Sequence, residues 1–339
     1  MQYKIMFFKR FLLEGNALKA IRQGLDEAKD SQALVAALAP LKALPFSIDP
    51  DRPLYKFARF MWAVVVLGAI VELYCYLMLW SQHSHHPSWW SWLLVLAAPA
   101  LVAGIYFYQA RSEKIRRLEE DLWNTKLLLD NDITPQPCSK DAITALKGRF
   151  PYFYGSDNDT FISLGQGHYQ GSQHSFDYQV IIHRWKSDKH FYYCYALALP
   201  FGLAKSLTLT TFTPSGGKWP SYDRWQPASQ AFNAKIKATC KEELDAARFL
   251  KPMVVERWVK LLDEIKDPNL LIEDNGDLLF LTSDKGLLAP ERQGSLKDPA
   301  SLASHYPLEK LAITLDLVHF LMVHNDNNFD TPLPQASQG

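Results

Sequence analysis

Lysine and arginine are missing from Phe60 to Gln109, in a chain of 339 residues that carries 36 basic and 36 acidic side chains in all. The net charge is zero, which excludes a general nucleic-acid binder, since such domains show a basic stripe. Cysteine is scarce. Cys75, Cys138, Cys194 and Cys240 stand far apart and form no Cys-x-x-Cys pair, so neither a zinc ribbon nor a thioredoxin motif is indicated. His-Glu-x-x-His and Gly-x-Ser-x-Gly are absent, which removes the simplest metalloprotease and nucleophile-elbow readings. The run Gly165-Gln166-Gly167-His168-Tyr169-Gln170-Gly171 has its third glycine one place late for a dinucleotide loop, and strand-like sequence follows. It reads as a hairpin or bulge. Ser215-Gly216-Gly217 lacks the lysine-serine continuation of a phosphate loop. A cleavable signal peptide is not expected, because Lys9 and Arg10 interrupt the N-terminal apolar residues. No internal repeat is present.

What the cation-free stretch does contain is apolar. It reads FMWAVVVLGAIVELYCYLMLW, then SQHSHHPS, then WWSWLLVLAAPALVAGIYF. A bilayer core of about 30 Å takes roughly 20 apolar residues of helix, so each run is long enough for one membrane-spanning helix. The pair is expected to form a transmembrane helical hairpin over residues 60–108, with the first span acting as an uncleaved signal. Arg52, Lys56 and Arg59 precede it; Arg111, Lys114, Arg116 and Arg117 follow. Positive flanks stay in the cytoplasm, so both termini are expected there, with the turn in the periplasm or, in a eukaryote, the lumen. The location implied is the bacterial inner (cell) membrane, multi-pass. Trp62, Trp80, Trp89, Trp90 and Trp92 sit near the span ends, where indole rings suit the headgroup zone.

Glu72 lies near the middle of the first span. A carboxylate there is costly and is the intramembrane polar candidate. Three roles fit it: a neutral packing acid, a contact in an oligomer, or a proton relay. Pro99 is expected to bend the second span, because it removes a backbone donor. His83, His85 and His86 crowd the turn, but no Cys, Asp or Glu stands between Gln82 and Ser88 to complete a tetrahedral set. No metal and no cofactor is expected.

Outside the hairpin the sequence divides into four parts. Residues 1–50 read as N-terminal cytoplasmic helices, over about 3–27 and 31–39. The first is basic and aromatic at its start, so lying on the bilayer and packing on protein are both open. Residues 109–138 read as a polar stalk helix, whose charges alternate in sign from Arg111 to Asp121, followed by a linker at Pro135 and Pro137. Residues 139–324 read as a cytoplasmic α+β domain. Its aromatic and β-branched runs near 161–164, 175–185, 189–199 and 206–213 are separated by short polar gaps, which favours antiparallel pairing. Pro252 opens a helix, and Asn275-Gly276 between two apolar runs suits a type I′ hairpin. Residues 325–339 read as a disordered tail. The fold class expected is α+β: a two-helix transmembrane hairpin plus a cytoplasmic domain with an antiparallel sheet and flanking helices.

Nothing in the spacing selects a catalytic residue. His168, His174, His183 and His190 fall in the strand region, and Asp177, Asp188 and Asp223 have no paired-carboxylate signature. The domain's later part carries Phe232-Asn233-Ala234-Lys235-Ile236-Lys237, then Ala246-Ala247-Arg248-Phe249-Leu250, then the helix opened by Pro252. With the two spans, the polar helix and the antiparallel block before it, this order resembles a bacterial two-pass inner-membrane family whose cytoplasmic domain has no assigned function. The resemblance covers about Arg52 to Val323. It implies a cytoplasmic α+β domain on a membrane anchor and carries over no active residues. The functions expected are a membrane-anchored interaction or scaffold protein, or else a membrane-tethered hydrolase acting on lipid or envelope precursors. Its partners would be the lipid bilayer and other membrane or cytoplasmic proteins or a second copy, and not nucleic acid.

Overall fold

The computed structural model describes residues 2–42, 44, 48, 89–154, 160–187, 190–211 and 217–326. The first expected span with Glu72 and Cys75, the turn histidines His83, His85 and His86, Asp188, and the expected tail from 327 onward lie outside the described residues. Among the residues whose side chains are described, no helix is long and apolar enough to cross a membrane. The described residues fold as two compact units, one of those up to Asn124 with Arg292–Ser304, the other of those in Thr125–Glu291 and from His305 onward.

In the first unit, helix α1 (Gln2–Glu27) is followed by α2 (Ser31–Ala37), α3 (Ala39–Lys42) and the start of α4 (Trp89–Asp130). Asp30 starts α2 as its cap, its carboxylate accepting from the Ala33 amide at 2.7 Å, which satisfies a helix-end donor. The later part of α1 is packed on protein. Ala17, Ile21 and Leu25 are buried, as are Leu34 and Leu38. Gly24 permits the approach, because a Cβ there would meet that of Ala37 at 2.4 Å. Glu14 meets Arg111 of α4 at 3.4 Å, and Arg22 meets Asp121 at 2.5 Å. On α4, Glu113, Lys114, Arg116, Arg117, Glu120 and Asp121 are exposed, as on a solvated helix. Glu119 differs: it is buried, accepts from the Leu296 amide at 2.8 Å and pairs with Arg292 at 2.9 Å. It shares its side of α4 with the buried Ile115, Leu118 and Leu122.

The second unit begins with the last turns of α4, where Lys126 and Asp130 form a buried ion pair at 2.5 Å. It continues with β1 (Thr134–Gln136), α5 (Lys140–Arg149), β2 (Thr160–Gln170), β3 (Ser175–Ser187), β4 (His190–Pro200), β5 (Leu207–Thr210), β6 (Asp223–Trp225), α6 (Gln230–Asn233), β7 (Lys237–Cys240), α7 (Glu243–Phe249), α8 (Pro252–Glu264), β8 (Asn269–Ile272), β9 (Asp277–Thr282) and α9 (Glu309–Asn325). The strands make one nine-stranded sheet in the order β1-β2-β3-β4-β9-β8-β5-β7-β6. All pairings are antiparallel. The α+β class with an antiparallel sheet and flanking helices is therefore observed. The segment with Pro135 and Pro137, expected as a linker, supplies the edge strand β1.

Strands β8 and β9 and the part of β4 from Cys194 to Leu199 are buried on both faces, so their sequences are near-continuous apolar runs rather than strict alternations. On one face Ile181, Ala196, Ala198, Leu271, Leu279 and Leu281 pack under Leu146 of α5 and Phe150, Tyr152 and Phe153 after it. On the other, Leu197, Phe280 and Leu270 stand in register. Trp258 of α8 meets Phe280 edge-on at 6.3 Å. Pro252 starts α8 at a first-turn position, and Val254, Val255, Trp258 and Leu261 give it the buried stripe.

Two local expectations change. The glycine-rich run is a hairpin only at its end: β2 passes straight through Gly165 and Gly167, Gly171 enters the β2–β3 turn with its amide on His174 O at 3.0 Å, and the bulge lies earlier, between Phe161 and Ser163. The glycines are needed for close packing, since a Cβ on Gly167 would lie 2.4 Å from the Tyr178 ring. The β8–β9 hairpin also turns differently. Glu273 and Asp277 close the loop through Glu273 N–H to Asp277 O at 2.9 Å, and Gly276 N–H donates to Glu273 O at 3.0 Å. Gly276 has φ 84, while Asn275 is not in the positive-φ region. A type I′ turn needs positive φ at both central residues. The loop is instead a type I turn completed by a left-handed glycine.

Candidate functional site

The densest polar constellation gathers on that turn. Asp274 accepts from Ser206 Oγ at 2.5 Å and from the Tyr222 hydroxyl at 2.9 Å, with Lys241 Nζ at 3.6 Å. Arg149 at the end of α5 grips Asp277 with two hydrogen bonds, at 2.6 and 2.8 Å. Asn275 adds a bond to the same carboxylate at 3.0 Å. Ser206 has a left-handed backbone, φ 54, rare for a side-chain-bearing residue. It is held there because its amide donates to Glu273 O and its carbonyl accepts from the Lys241 amide. The strand start at β5, the β8–β9 turn and the residue after β7 are thereby stitched together.

The electrostatics divide the carboxylates. Hydrogen bonds from Ser206 and Tyr222, with help from Lys241, hold Asp274 below the usual carboxylate range. Glu273, half-buried beside Asp274 and Asp277, is pushed up to about 7, by burial first and the neighbouring charges second. Burial and the Asp274 carboxylate raise the Tyr222 hydroxyl. Glu273 can exchange a proton near neutrality, as a general acid or base must. Ser206, however, has a low-pKa carboxylate as its acceptor, which is a weak base for activating a hydroxyl.

The residues singled out in sequence are dispersed. His168 pairs with Asp177 at 2.7 Å on an exposed face, and this bond raises the imidazole. His174 pairs with Asp326 at 2.6 Å, with the His319 ring 6.2 Å away. His183 is buried among the Phe153, Phe161 and Trp185 rings. His190 is exposed at the start of β4, and Asp223 is exposed on β6 opposite Cys240. Burial raises the thiols of Cys138, Cys194 and Cys240, that of Cys194 to about 12. Cys194 and Cys240 are buried, which keeps a thiol inert, whereas Cys138 is exposed. Among the described residues, no three His, Cys, Asp or Glu side chains are grouped to hold a metal ion. Ser206, Tyr222, Glu273 and Asp274 were not marked by any motif. The available signal was Glu-Asp-Asn-Gly-Asp, three carboxylates within five positions around a turn. Compared with known proteins, the chain matches no family model, no curated protein and no solved structure.

Proposed function

We propose that the protein is a membrane-anchored interaction or scaffold protein that presents its α+β domain at the cytoplasmic face of the bacterial inner membrane. The observation that carries this reading is the continuity of α4. The helix that starts at Trp89, in the second apolar run, is the same 42-residue element whose last turn, Leu127 to Asp130, is buried in the sheet-bearing unit. The basic flanks around the cation-free stretch set the orientation. Two spans also give Glu72 a place to meet a second copy.

The interaction reading is preferred to the hydrolase because the polar groups of the turn cluster bond to one another and brace three strands. Glu273 is the observation on the hydrolase side. Fractionation of cells making the full chain tests the anchor: the protein sediments with membranes and resists alkaline carbonate, and a reporter fused after Gly339 is active only in the cytoplasm. Recovery in the soluble fraction, or a reporter active outside, overturns it. Crosslinking in native membranes then identifies the partner. Hydrolysis of a lipid-linked substrate that disappears in Glu273→Gln, with the fold intact, would replace the scaffold with the enzyme.

A further inference from the structure

Helices α1 and α4 run side by side in the same direction. Glu14 meets Arg111, and further along both helices Arg22 meets Asp121. The first of these pairs is nearly buried, its side chains 7 % and 13 % exposed. Between the two pairs lie Ala17 and Ile21 of α1 and Ile115 and Leu118 of α4, all buried. α1 is one unbroken helix from Gln2 to Glu27, so the part before Glu14 continues on the same line. With Glu14 level with Arg111, residues 2–9 come level with 99–106 of α4, inside the second apolar run. That is about 12 Å of helix at the usual rise, less than half of a hydrocarbon core of about 30 Å. The same register sets Lys9 and Arg10 level with Tyr106 and Phe107, where the run ends and Tyr106 is exposed.

We infer that the part of α1 before Glu14 enters the cytoplasmic leaflet beside α4, as a third membrane element that stops short of the midplane. The inference rests on the anchored reading above and names what α1 touches. A helix that lies flat on a bilayer stands across a spanning helix, whereas α1 runs along α4. Where α4 leaves water, its companion leaves with it. The sequence suits that placement. Ile5, Met6, Phe7 and Phe8 are consecutive, and four consecutive residues reach every side of a helical turn. A helix that is hydrophobic all round is a buried one, while a helix at a water boundary keeps a polar face. Lys9 and Arg10, at the boundary, fall where cations meet lipid phosphates. Lys4 comes deeper, and a lysine buries its carbon stem while its charge stays toward the headgroups.

The test uses the full chain in nanodiscs of phosphatidylethanolamine and phosphatidylglycerol. Ile5→Cys, Met6→Cys, Phe7→Cys and Phe8→Cys are made singly and treated with a charged maleimide, and labelling is read by peptide mass spectrometry. Native thiols calibrate each run: Cys138 is exposed and labels, whereas Cys194 and Cys240 are buried and stay unlabelled while the fold is intact. All four new thiols should react at least about ten-fold more slowly than Asn16→Cys, at an exposed position of α1, because a thiol in hydrocarbon forms little thiolate. Fast labelling at any of the four overturns the inference, since a helix lying on the bilayer surface or against protein keeps a wet side. p-Benzoylphenylalanine in place of each of the same four residues separates lipid from protein as the cover. Irradiation should add the mass of a phospholipid at one position or more; crosslinks to a second copy alone, or to no lipid at any of the four, overturn the inference. Failure of the anchor shows separately, as a chain that does not co-purify with discs, and it removes the inference as well.

Discussion

Two hairpins of one sheet treat similar residues in opposite ways. β8–β9 buries Leu270, Leu271, Leu278, Leu279, Phe280 and Leu281 completely, whereas β3–β4 leaves Phe191, Tyr192 and Tyr193 in solvent. Composition does not separate them, since both are rich in large apolar side chains. Neighbours do. β8 and β9 lie between β5 and β4, and helices cover both faces. Among the described residues, the β3–β4 ribbon runs past the pairing of β2, which ends at Arg184, and of β9, which begins at Tyr195. Burial here is a property of how far adjacent strands run, not of the hairpin's own residues.

That contrast is most easily broken from the buried side. Trp258→Ala removes a fully buried side chain that packs on Phe280 and should lower stability by about 3–5 kcal/mol, read as a shift of the urea midpoint at constant slope. Unchanged stability would mean that this layer does not support the hairpin. Gly276→Ala is the next largest. At φ 84, with Gly202 Cα 3.2 Å from the added methyl, it should cost about 1–2 kcal/mol for the left-handed backbone, with more if Gly202 cannot yield.

Glu273 sharpens the contrast through pH. Its folded-state pKa, about 7, lies above that of an ordinary glutamate, so the native chain holds a proton that the unfolded chain has released. Stability therefore falls as pH rises from the ordinary glutamate range through 7. Glu273→Gln should flatten that decline in thermal melts taken at pH 5 and pH 8; an unaltered slope assigns the titration elsewhere. The smallest effect is expected at the ribbon. Phe191→Ser should change stability by no more than about 0.5 kcal/mol, as exposed substitutions do. A loss as large as that of Trp258→Ala would show the ring to be packed in solution.

Much of the sheet can be read from local chemistry. The strand runs near 175–185 and 189–199 are there, Pro252 opens α8, and the chain reverses at Asn275-Gly276. Those signals are short-range: β-branched and aromatic runs, a ring that presets φ, a residue without a Cβ. What was hidden depends on distant partners. β2 runs through Gly165 and Gly167 because Ile133, Val180 and Tyr178 occupy the space that side chains would need, and no glycine count reveals that. Glu119 reads as a solvated charge on α4, yet it binds Arg292 and the Leu296 amide, and Lys126, which no pattern marked, pairs with Asp130 and lies 5.4 Å from the Tyr306 ring. The turn cluster was equally obscure. Ser206, Tyr222 and Lys241 reach Asp274 from separate parts of the chain, so only the strand order brings them together. The histidines and aspartates that attracted notice in sequence are scattered, while Glu273 drew none.

The sheet ends on two stubs. β1 and β6 are three residues each, and Pro135 sits in the middle of β1 without an amide hydrogen to offer. An open edge of peptide groups is a template on which a neighbouring molecule can add a strand, and short or proline-bearing edges withhold it. Copies that meet edge to edge find little backbone at these stubs on which to begin a fibril.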